Sequence, residues 1–257
     1  MAFNKIFKKK GLLNYLIFSF LTLLETFCMF LADHIIAINQ NLKIELQNRL
    51  ILKKRKITVV ENAVDLNRII ISKNTKNELV FGYIGTLSPI EGLDLLIEAF
   101  NNLALSNKLL IFGDGIELEN LKKLSASNSN IIFQGKISSS EILKAYNQID
   151  IIVNPRKSSY LTNSVTPLKT IEAMAHKKLV IASDVGGMKE LIKDDQTGIL
   201  FKSGDLFELE KALLKVLETN DLNSFVDNAY DYIYKQRNWY HNAKLYKKLY
   251  SNLKNGQ

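Results

Sequence analysis

The sequence contains little cysteine, proline or histidine, and each shortage excludes a class of protein. A single cysteine, Cys28, cannot form an intrachain disulfide, which excludes a small disulfide-stabilised scaffold and makes a reducing cytoplasm the expected location. Three prolines and 12 glycines in 257 residues exclude collagen-like and proline-rich disordered chains. The three histidines, His34, His176 and His241, are scattered and do not have the spacing of metal ligands.

Two common nucleotide-binding signatures are missing as well. No Gly-x-Gly-x-x-Gly run opens a helix and no Walker loop is present, which argues against a classical dinucleotide dehydrogenase and a P-loop NTPase. The chain does have 47% hydrophobic residues and a formal net charge of +8. Its cations form short runs without nucleic-acid recognition motifs, so no nucleic acid partner is expected. The charge suits an anionic nucleotide, an acidic membrane surface or a solvated lysine-rich face.

Residues 11–32 form a long apolar segment that directly follows three lysines at positions 8–10. Its length is close to the ~20 residues needed to cross a bilayer, but Glu25 lies inside it and no signal-peptidase site follows it. Three interpretations stay open: a buried or interdomain helix, which we favour, a membrane-surface helix or anchor on the cytoplasmic face, and a true span.

From Leu79 onward, short apolar strands alternate with helical stretches. Such alternation is typical of an α/β fold with a doubly wound parallel sheet, a Rossmann-like domain. Strands are predicted at residues 79–85, 108–112, 131–133, 150–153, 179–183 and 198–201, and helices at 92–102, 117–124, 140–148, 167–176, 188–192 and 205–218.

The N-terminal part has a different pattern, with strands predicted at 33–38 and 57–60 and a helix at 41–50. A polar stretch at 72–77 is typical of a linker. We therefore expect three parts: a short N-terminal remnant with its linker (1–74), the Rossmann-like domain (75–236) and a C-terminal helix (237–257).

Residues 154–175 carry the strongest chemical signal. They run from a strand end through a polar loop into a helix, where Thr166 is predicted to cap the helix and Pro167 to occupy its first position. The free amides at that helix start attract anions, and Arg156 and Lys169 would add two positive charges. Glu172 follows Lys169 by three residues and lies on nearly the same helical face. The segment suits a diphosphate with a ribose beside it.

An ordered series of short motifs resembles the family 4 (group 1) glycosyltransferases of GT-B fold. The second half of their characteristic motif matches Glu-Ala-Met-Ala at 172–175. Further matches, in chain order, are Ala-Asp-His-Ile-Ile at 32–36, Glu-Asn-Ala-Val-Asp at 61–65, Gly-Thr-Leu-Ser at 85–88, Glu-Gly-Leu-Asp at 91–94, Gly-Asp-Gly at 113–115, Phe-Gln-Gly at 133–135, Ser-Asp-Val-Gly-Gly at 183–187 and Arg-Asn-Trp at 237–239.

The resemblance implies a role for each matching position. Glu172 would accept hydrogen bonds from the donor ribose, the backbone of Val165 and Thr166 would hold the diphosphate, and the loop at Gly135 and Lys136 would face the base.

The chain also departs from the family pattern. Ser164 replaces the motif's first glutamate, while Gly85 and Thr86 begin a loop that lacks the usual arginine and lysine and has Ile90 and Glu91 near its end. Arg156 and Lys169 are the expected replacements and the expected catalytic groups.

The activity implied by the resemblance is transfer of a sugar from a nucleotide diphosphate sugar to a hydroxyl of a saccharide or lipid-linked saccharide. It would proceed with retention, without a cofactor or metal, in polysaccharide or glycolipid synthesis. Because the matches begin only at the tail of the N-terminal domain, we expect most of that acceptor domain to be missing and a separate N-terminal polypeptide to be a partner. The alternative is a catalytically incomplete fragment or a non-catalytic interaction module.

Overall fold

The computed structural model describes residues 12–53, 56–71, 78–138, 140–219 and 221–255. The chain divides into two compact units, one formed by residues 1–62 with 242–257 and the other by residues 63–241. The linker expected at 72–77 and the lysines at 8–10 lie outside the described residues.

The first unit contains a small parallel sheet. Its elements are helix α1 (Leu12–Leu31), strand β1 (Ile35–Ala37), helix α2 (Gln40–Gln47), a 3-10 turn (Leu50–Leu52) and strand β2 (Ile57–Val59). Asn39 caps α2 through its side chain, which accepts a hydrogen bond from the Leu42 amide at 2.8 Å. The two predicted strands are therefore present, and they pair in parallel from Ile35 with Ile57 to Ala37 with Val59.

Helix α1 directs its apolar side chains outward. Only 6% of the apolar window Leu13–Leu31 is buried, so the first half of the favoured interpretation, a buried helix, is wrong for the part of the chain that the structure describes, while an interdomain helix stays a prediction. By length and composition this helix could cross a membrane. Glu25 forms an ion pair with Arg49 at 2.8 Å, which explains how a carboxylate is accommodated in the segment.

The second unit is built on six parallel strands, which confirms the predicted α/β doubly wound fold. They are β3 (Phe81–Ile84), β4 (Leu109–Phe112), β5 (Ile131–Gly135), β6 (Ile151–Asn154), β7 (Leu179–Ser183) and β8 (Ile199–Phe201). Their order in the sheet is β5-β4-β3-β6-β7-β8. The chain moves outward in one direction from β3 and in the other from β6, so the switch point lies between these two strands.

Helices cover both faces of this sheet. The helices of this unit are α3 (Leu93–Leu103), α4 (Leu118–Leu124), α5 (Ile142–Tyr146), α6 (Tyr160–Ser164), α7 (Leu168–Ala175), α8 (Gly186–Lys189), α9 (Leu206–Glu218) and α10 (Leu222–Gln236). The last helix, α11 (Trp239–Lys254), begins in this unit, and its residues from 242 onward belong to the first unit. Alternate residues of each strand enter two separate cores: Phe81 and Tyr83 pack with α3 and α9, whereas Ile152 and Val180 pack with α7 and α10. Strands buried on both faces explain their continuous apolar sequence.

Candidate functional site

The candidate site lies at the switch point, where β3 and β6 end side by side. Gly85 follows β3 directly, and Arg156 follows β6 by two residues. In open parallel sheets ligands bind outside the carboxyl ends of the strands at such a point. The fold therefore brings together two segments that are about 70 residues apart in the sequence.

The loop after β3 approaches the end of β6 closely because residue 92 is a glycine. Gly92 has a φ of 71°, and a Cβ placed there would lie 2.0 Å from the carbonyl oxygen of Pro155. The Lys157 amide donates to the carbonyl of Ile90 at 2.9 Å. This contact places Glu91, the last residue of a 3-10 turn (Pro89–Glu91), in a buried position next to Arg156.

Arg156 is held by its backbone and keeps unused donors on its side chain. The hydroxyls of Ser183 and Ser203 donate to its carbonyl oxygen at 2.7 and 2.9 Å. Its guanidinium Nη2 lies 3.5 Å from the Glu91 carboxylate, and its side chain is 9% exposed. The Nε and Nη1 atoms are buried and find no hydrogen-bond partner among the described residues. A buried guanidinium with free N–H groups is suited to bind an anion.

Lys169, in the first turn of α7, reaches the same carboxylate. Its ammonium donates to Glu91 and, at 2.9 Å, to the hydroxyl of Tyr83, and it lies 4.5 Å from the centre of the Tyr83 ring. Burial lowers the pKa of Lys169 to about 8, although the Glu91 charge and hydrogen bond oppose that shift. Burial also raises the pKa of Tyr83, so its hydroxyl stays protonated and donates to the carbonyl of Thr86 at 2.9 Å.

The start of α7 differs from the prediction. Pro167 is the N-cap and the helix begins at Leu168, without a capping hydrogen bond from a side chain of the described residues. The Thr166 hydroxyl is not available as a cap because it donates to Glu190 at 2.5 Å, and Glu190 also pairs with Arg237 at 3.2 Å. The first amides of α7 therefore lack a side-chain cap and are suited to an anion.

The loop before α7 is less irregular than predicted, because helix α6 forms within it. Ser159 and Thr162 exchange side-chain and backbone hydrogen bonds as a capping box. Ser164 ends this helix, and the Val165 amide donates to the carbonyl of Leu161 at 3.0 Å. The loop is therefore fixed where the resemblance places the diphosphate-binding backbone.

A cleft of about 410 Å³ opens beside the cations, at the ends of β3, β4 and β5. It is lined by Ile84, Gly85, Thr86, Phe112, Gly113, Asp114, Gly115, Lys136, Ile137 and Ile142. Gly85 connects the cleft to the charged cluster, because a Cβ at that position would lie 3.3 Å from the Lys169 ammonium and 2.9 Å from the Tyr83 hydroxyl. Gly135 ends β5 just before Lys136, and its carbonyl accepts from the Gly113 amide at 2.8 Å.

Glu172 is not part of the charged cluster. Among the described residues its carboxylate forms no hydrogen bond or ion pair, and partial burial raises the pKa of the carboxyl. Its charge also helps to raise the pKa of the buried Tyr146. Glu172 thus presents an unpaired carboxylate about one helical turn beyond Lys169, suitable for accepting hydrogen bonds from hydroxyl groups.

No cluster of three or more histidine, cysteine, aspartate or glutamate side chains able to hold a metal occurs within the described ranges.

Comparison with known proteins identifies the family. Residues 78–219 match the family model described as glycosyl transferases group 1. The chain belongs to this family. One relative, an uncharacterized glycosyltransferase of Methanocaldococcus jannaschii, is 28% identical over 239 residues, which cover 87% of this chain and 59% of the relative.

Solved glycosyltransferase structures share the fold. Sucrose-phosphate synthase from Thermosynechococcus elongatus has a TM-score of 0.77 at 20% identity, covering 91% of this chain and 62% of that structure. The HepE protein of Anabaena, crystallised with UDP and glucose, has a TM-score of 0.71 at 20% identity, covering 86% of this chain and 64% of its own. The present chain thus spans about three-fifths of the length of these proteins.

Within this group 1 domain the predicted site residues fall into three places. Gly85, Thr86 and Lys136 line the cleft, and Gly135 adjoins it. Arg156 and Lys169 meet at Glu91. The third place is the segment before α7, which contains Ser164, Val165 and Thr166, together with α7 itself, which contains Glu172.

Sequence reasoning did not assign roles to Glu91 and Tyr83. A signal for Glu91 was present, because it occupies the loop in which the resemblance expects cations, while Lys169 and Arg156 supply cations elsewhere. In the structure Arg156 and Lys169 both lie against the Glu91 carboxylate.

Proposed function

We propose that this chain binds the nucleoside diphosphate of a nucleotide sugar and transfers the sugar to a hydroxyl acceptor. The observation that carries this proposal is the convergence of Arg156 and Lys169 at the switch point beside a cleft. Their combined charge exceeds that of Glu91 by one, so the cluster favours an anion.

Each part of the donor has a matching feature. The diphosphate would accept hydrogen bonds from the free Nε–H and Nη1–H groups of Arg156, from the Lys169 ammonium and from the first amides of α7. Glu172 would bind the ribose hydroxyls, and the cleft with Lys136 would take the base. The UDP and glucose with which HepE was crystallised support a nucleotide sugar as ligand of this fold.

The proposed chemistry is electrostatic. As the bond between sugar and diphosphate breaks, negative charge grows on the leaving diphosphate, and the cations and helix amides would stabilise it. This role requires no metal ion or cofactor. We further propose that transfer retains the configuration of the sugar and that the acceptor is a saccharide or a lipid-linked saccharide. A separate N-terminal polypeptide is the proposed partner, and adding it to the transfer assay should raise turnover.

The test is nucleotide affinity after removal of both cations. Arg156→Ala with Lys169→Ala should weaken UDP or GDP binding at least about 100-fold, because each charge-assisted hydrogen bond contributes ~1.5–3 kcal/mol. Isothermal titration calorimetry measures this loss. A matched control removes two exposed lysines, Lys122 and Lys215, and lowers the net charge equally. Equal affinity in the two double variants would exclude the proposed site.

A non-catalytic interaction module is the second candidate, favoured by Ser164 at the position of the motif's first glutamate. Calorimetry of the unaltered chain separates the two functions. A module with a decayed site gives no heat with UDP or GDP, whereas a donor-binding domain does.

We also propose that α1 contacts a membrane surface. The less exposed positions of α1 are Asn14, Phe18, Thr22, Thr26 and Met29. The Thr22 and Thr26 hydroxyls donate to carbonyls four residues earlier, so their polar groups are satisfied within the helix. The outward side is mainly apolar, with Leu13 70% and Phe20 64% exposed. A soluble amphipathic helix turns its polar side to water, whereas α1 exposes large apolar side chains, and the three preceding lysines add attraction to anionic lipid.

Sedimentation with vesicles tests this contact. The chain should pellet with vesicles of phosphatidylcholine and phosphatidylserine, and replacing Leu16, Phe20 and Leu23 by serine should abolish pelleting. Replacing Ile116, Phe207 and Tyr234, which are exposed residues of the second unit, by serine is the control and should leave pelleting unchanged. Equal pelleting of both triple variants, or a soluble stoichiometric complex with a protein through α1, would contradict the membrane proposal.

A further inference from the structure

Glu91 is a buried carboxylate placed against the two proposed diphosphate-binding cations. One of its oxygens contacts the Lys169 ammonium and the other lies 3.5 Å from Nη2 of Arg156. Its side chain is 9% exposed, so it has little access to solvent. An anion so close to a proposed anion site reduces the attraction for a diphosphate, and its presence there requires an explanation.

The explanation lies in the number of donors that each cation has. Lys169 has three N–H donors, of which Glu91 and Tyr83 use two. Arg156 turns Nη2 toward Glu91 and leaves Nε and Nη1 without partners among the described residues. Glu91 therefore fixes both side chains from one direction while each retains donors for a ligand.

The groups around Lys169 also show that its ammonium depends on the Glu91 carboxylate to stay protonated. The groups that face its ammonium are Glu91, Tyr83 and Arg156. Burial and the Arg156 charge both disfavour the protonated amine, the Tyr83 hydroxyl is neutral, and Glu91 alone among these groups supplies a compensating charge.

We propose that Glu91 is a positioning residue of the donor site, which keeps the Lys169 ammonium charged and directs Lys169 and Arg156 toward the diphosphate. This inference rests on the proposed function for the identity of the ligand. The charge on Lys169 can be measured without any nucleotide, which separates the two proposals.

The first experiment follows the side-chain amine of Lys169 by nitrogen NMR as a function of pH, with the Lys169→Arg variant assigning the signal. In the unaltered chain the amine should titrate near pH 8. In Glu91→Gln its midpoint should fall by at least about one pH unit, because only the unfavourable influences remain. Asp94→Asn, which removes an exposed carboxylate three residues away, should leave the midpoint unchanged. An unchanged midpoint in Glu91→Gln would overturn the proposal, whether or not the chain binds nucleotide.

The second experiment measures UDP affinity between pH 6.5 and pH 8.5. At pH 6.5, Glu91→Gln should bind within about threefold of the unaltered chain, since removal of a repelling charge offsets weaker positioning. At pH 8.5 its affinity should be at least about fivefold lower than that of the unaltered chain, because the lower midpoint leaves a smaller fraction of Lys169 protonated. Adding Lys169→Arg should remove this extra pH dependence, since arginine stays charged.

A role in folding alone gives a different result, namely a uniform loss at every pH. That pattern would overturn the proposal. If Glu91→Gln does not fold, Glu91→Asp retains the charge at a longer distance and should lower the Lys169 midpoint by a smaller amount; a midpoint equal to that of the unaltered chain would again exclude a positioning role. If the unaltered chain binds neither UDP nor GDP, the proposed function is contradicted. The NMR titration then still tests whether Glu91 keeps the Lys169 ammonium charged.

Discussion

The ionised carboxylate of Glu172 lowers the stability of the fold, yet the proposed donor binding requires it. Its carboxyl has a raised pKa because it is partly buried, so the folded chain takes up a proton more readily than the unfolded chain. The ionised carboxylate therefore lowers stability above the raised pKa, and this penalty disappears as the pH falls through it. The proposed contact with the ribose hydroxyls would use the same ionised oxygens.

Glu172→Gln should accordingly raise the melting temperature at pH 7.5 by roughly 1–3 °C and weaken UDP binding by about tenfold. The gain in melting temperature should vanish at pH values below the raised pKa of Glu172, where both side chains are neutral. Thermal unfolding at several pH values and calorimetry measure the two effects. Glu98→Gln, on the exposed face of α3, is the control and should change neither. Unchanged UDP affinity in Glu172→Gln would exclude the ribose role.

At the scale of elements, the loop after β3 depends on the close approach at Gly92. Gly92→Ala would combine an unfavourable φ of 71° with a clash against the carbonyl of Pro155. Gly204 has a similar φ of 80° but open space around a Cβ, so Gly204→Ala isolates the backbone effect.

Both variants should lose about 1 kcal/mol of stability from backbone strain. Gly92→Ala should lose more, and it should also weaken nucleotide binding about tenfold or more, because the 3-10 turn that carries Glu91 is displaced from Arg156. Urea unfolding and calorimetry distinguish the two contributions. Equal effects of the two substitutions on nucleotide affinity would show that the loop does not position the site.

Most elements could be predicted from periodicity to within a few residues, but helix α10 (Leu222–Gln236) was not predicted. Strand β7 has the predicted bounds, and α9 begins one residue later than predicted. Helix α6 was missed because its short polar sequence reads as a loop and is stabilised by the Ser159 and Thr162 capping box. The start of α7 was wrong because Thr166 bonds Glu190, 24 residues further along the chain, and a local pattern does not contain that contact.

The site was predicted less completely than the fold. Arg156 and Lys169 were identified as one cluster from their places at a strand end and a helix start, and the structure confirms that they converge. Glu91 lies 78 residues before Lys169, and only the sheet order brings the two together. The exposure of α1 was not predictable either, because an apolar sequence does not reveal which surface covers it.

At the scale of the whole chain, nucleotide binding should be visible as stabilisation of the folded state. A ligand present at 100 times its dissociation constant adds about 2.7 kcal/mol, which corresponds to roughly 5–10 °C in melting temperature for a chain of this size. Differential scanning fluorimetry with UDP, GDP and ADP should show such a shift for the base that fits the cleft. The same shift in the Arg156→Ala, Lys169→Ala double variant would place binding elsewhere.

The position of the site at the switch point also determines when it can form during synthesis. Glu91 emerges from the ribosome with the first three strands of the sheet, whereas Arg156 and Lys169 belong to segments made about 65 and 80 residues later. A nascent chain that has completed only β3, β4 and β5 has the acidic residue without either basic one. Under the proposed function, a nucleotide would be captured only by chains that have been translated past α7, and half-finished chains would not sequester the donor.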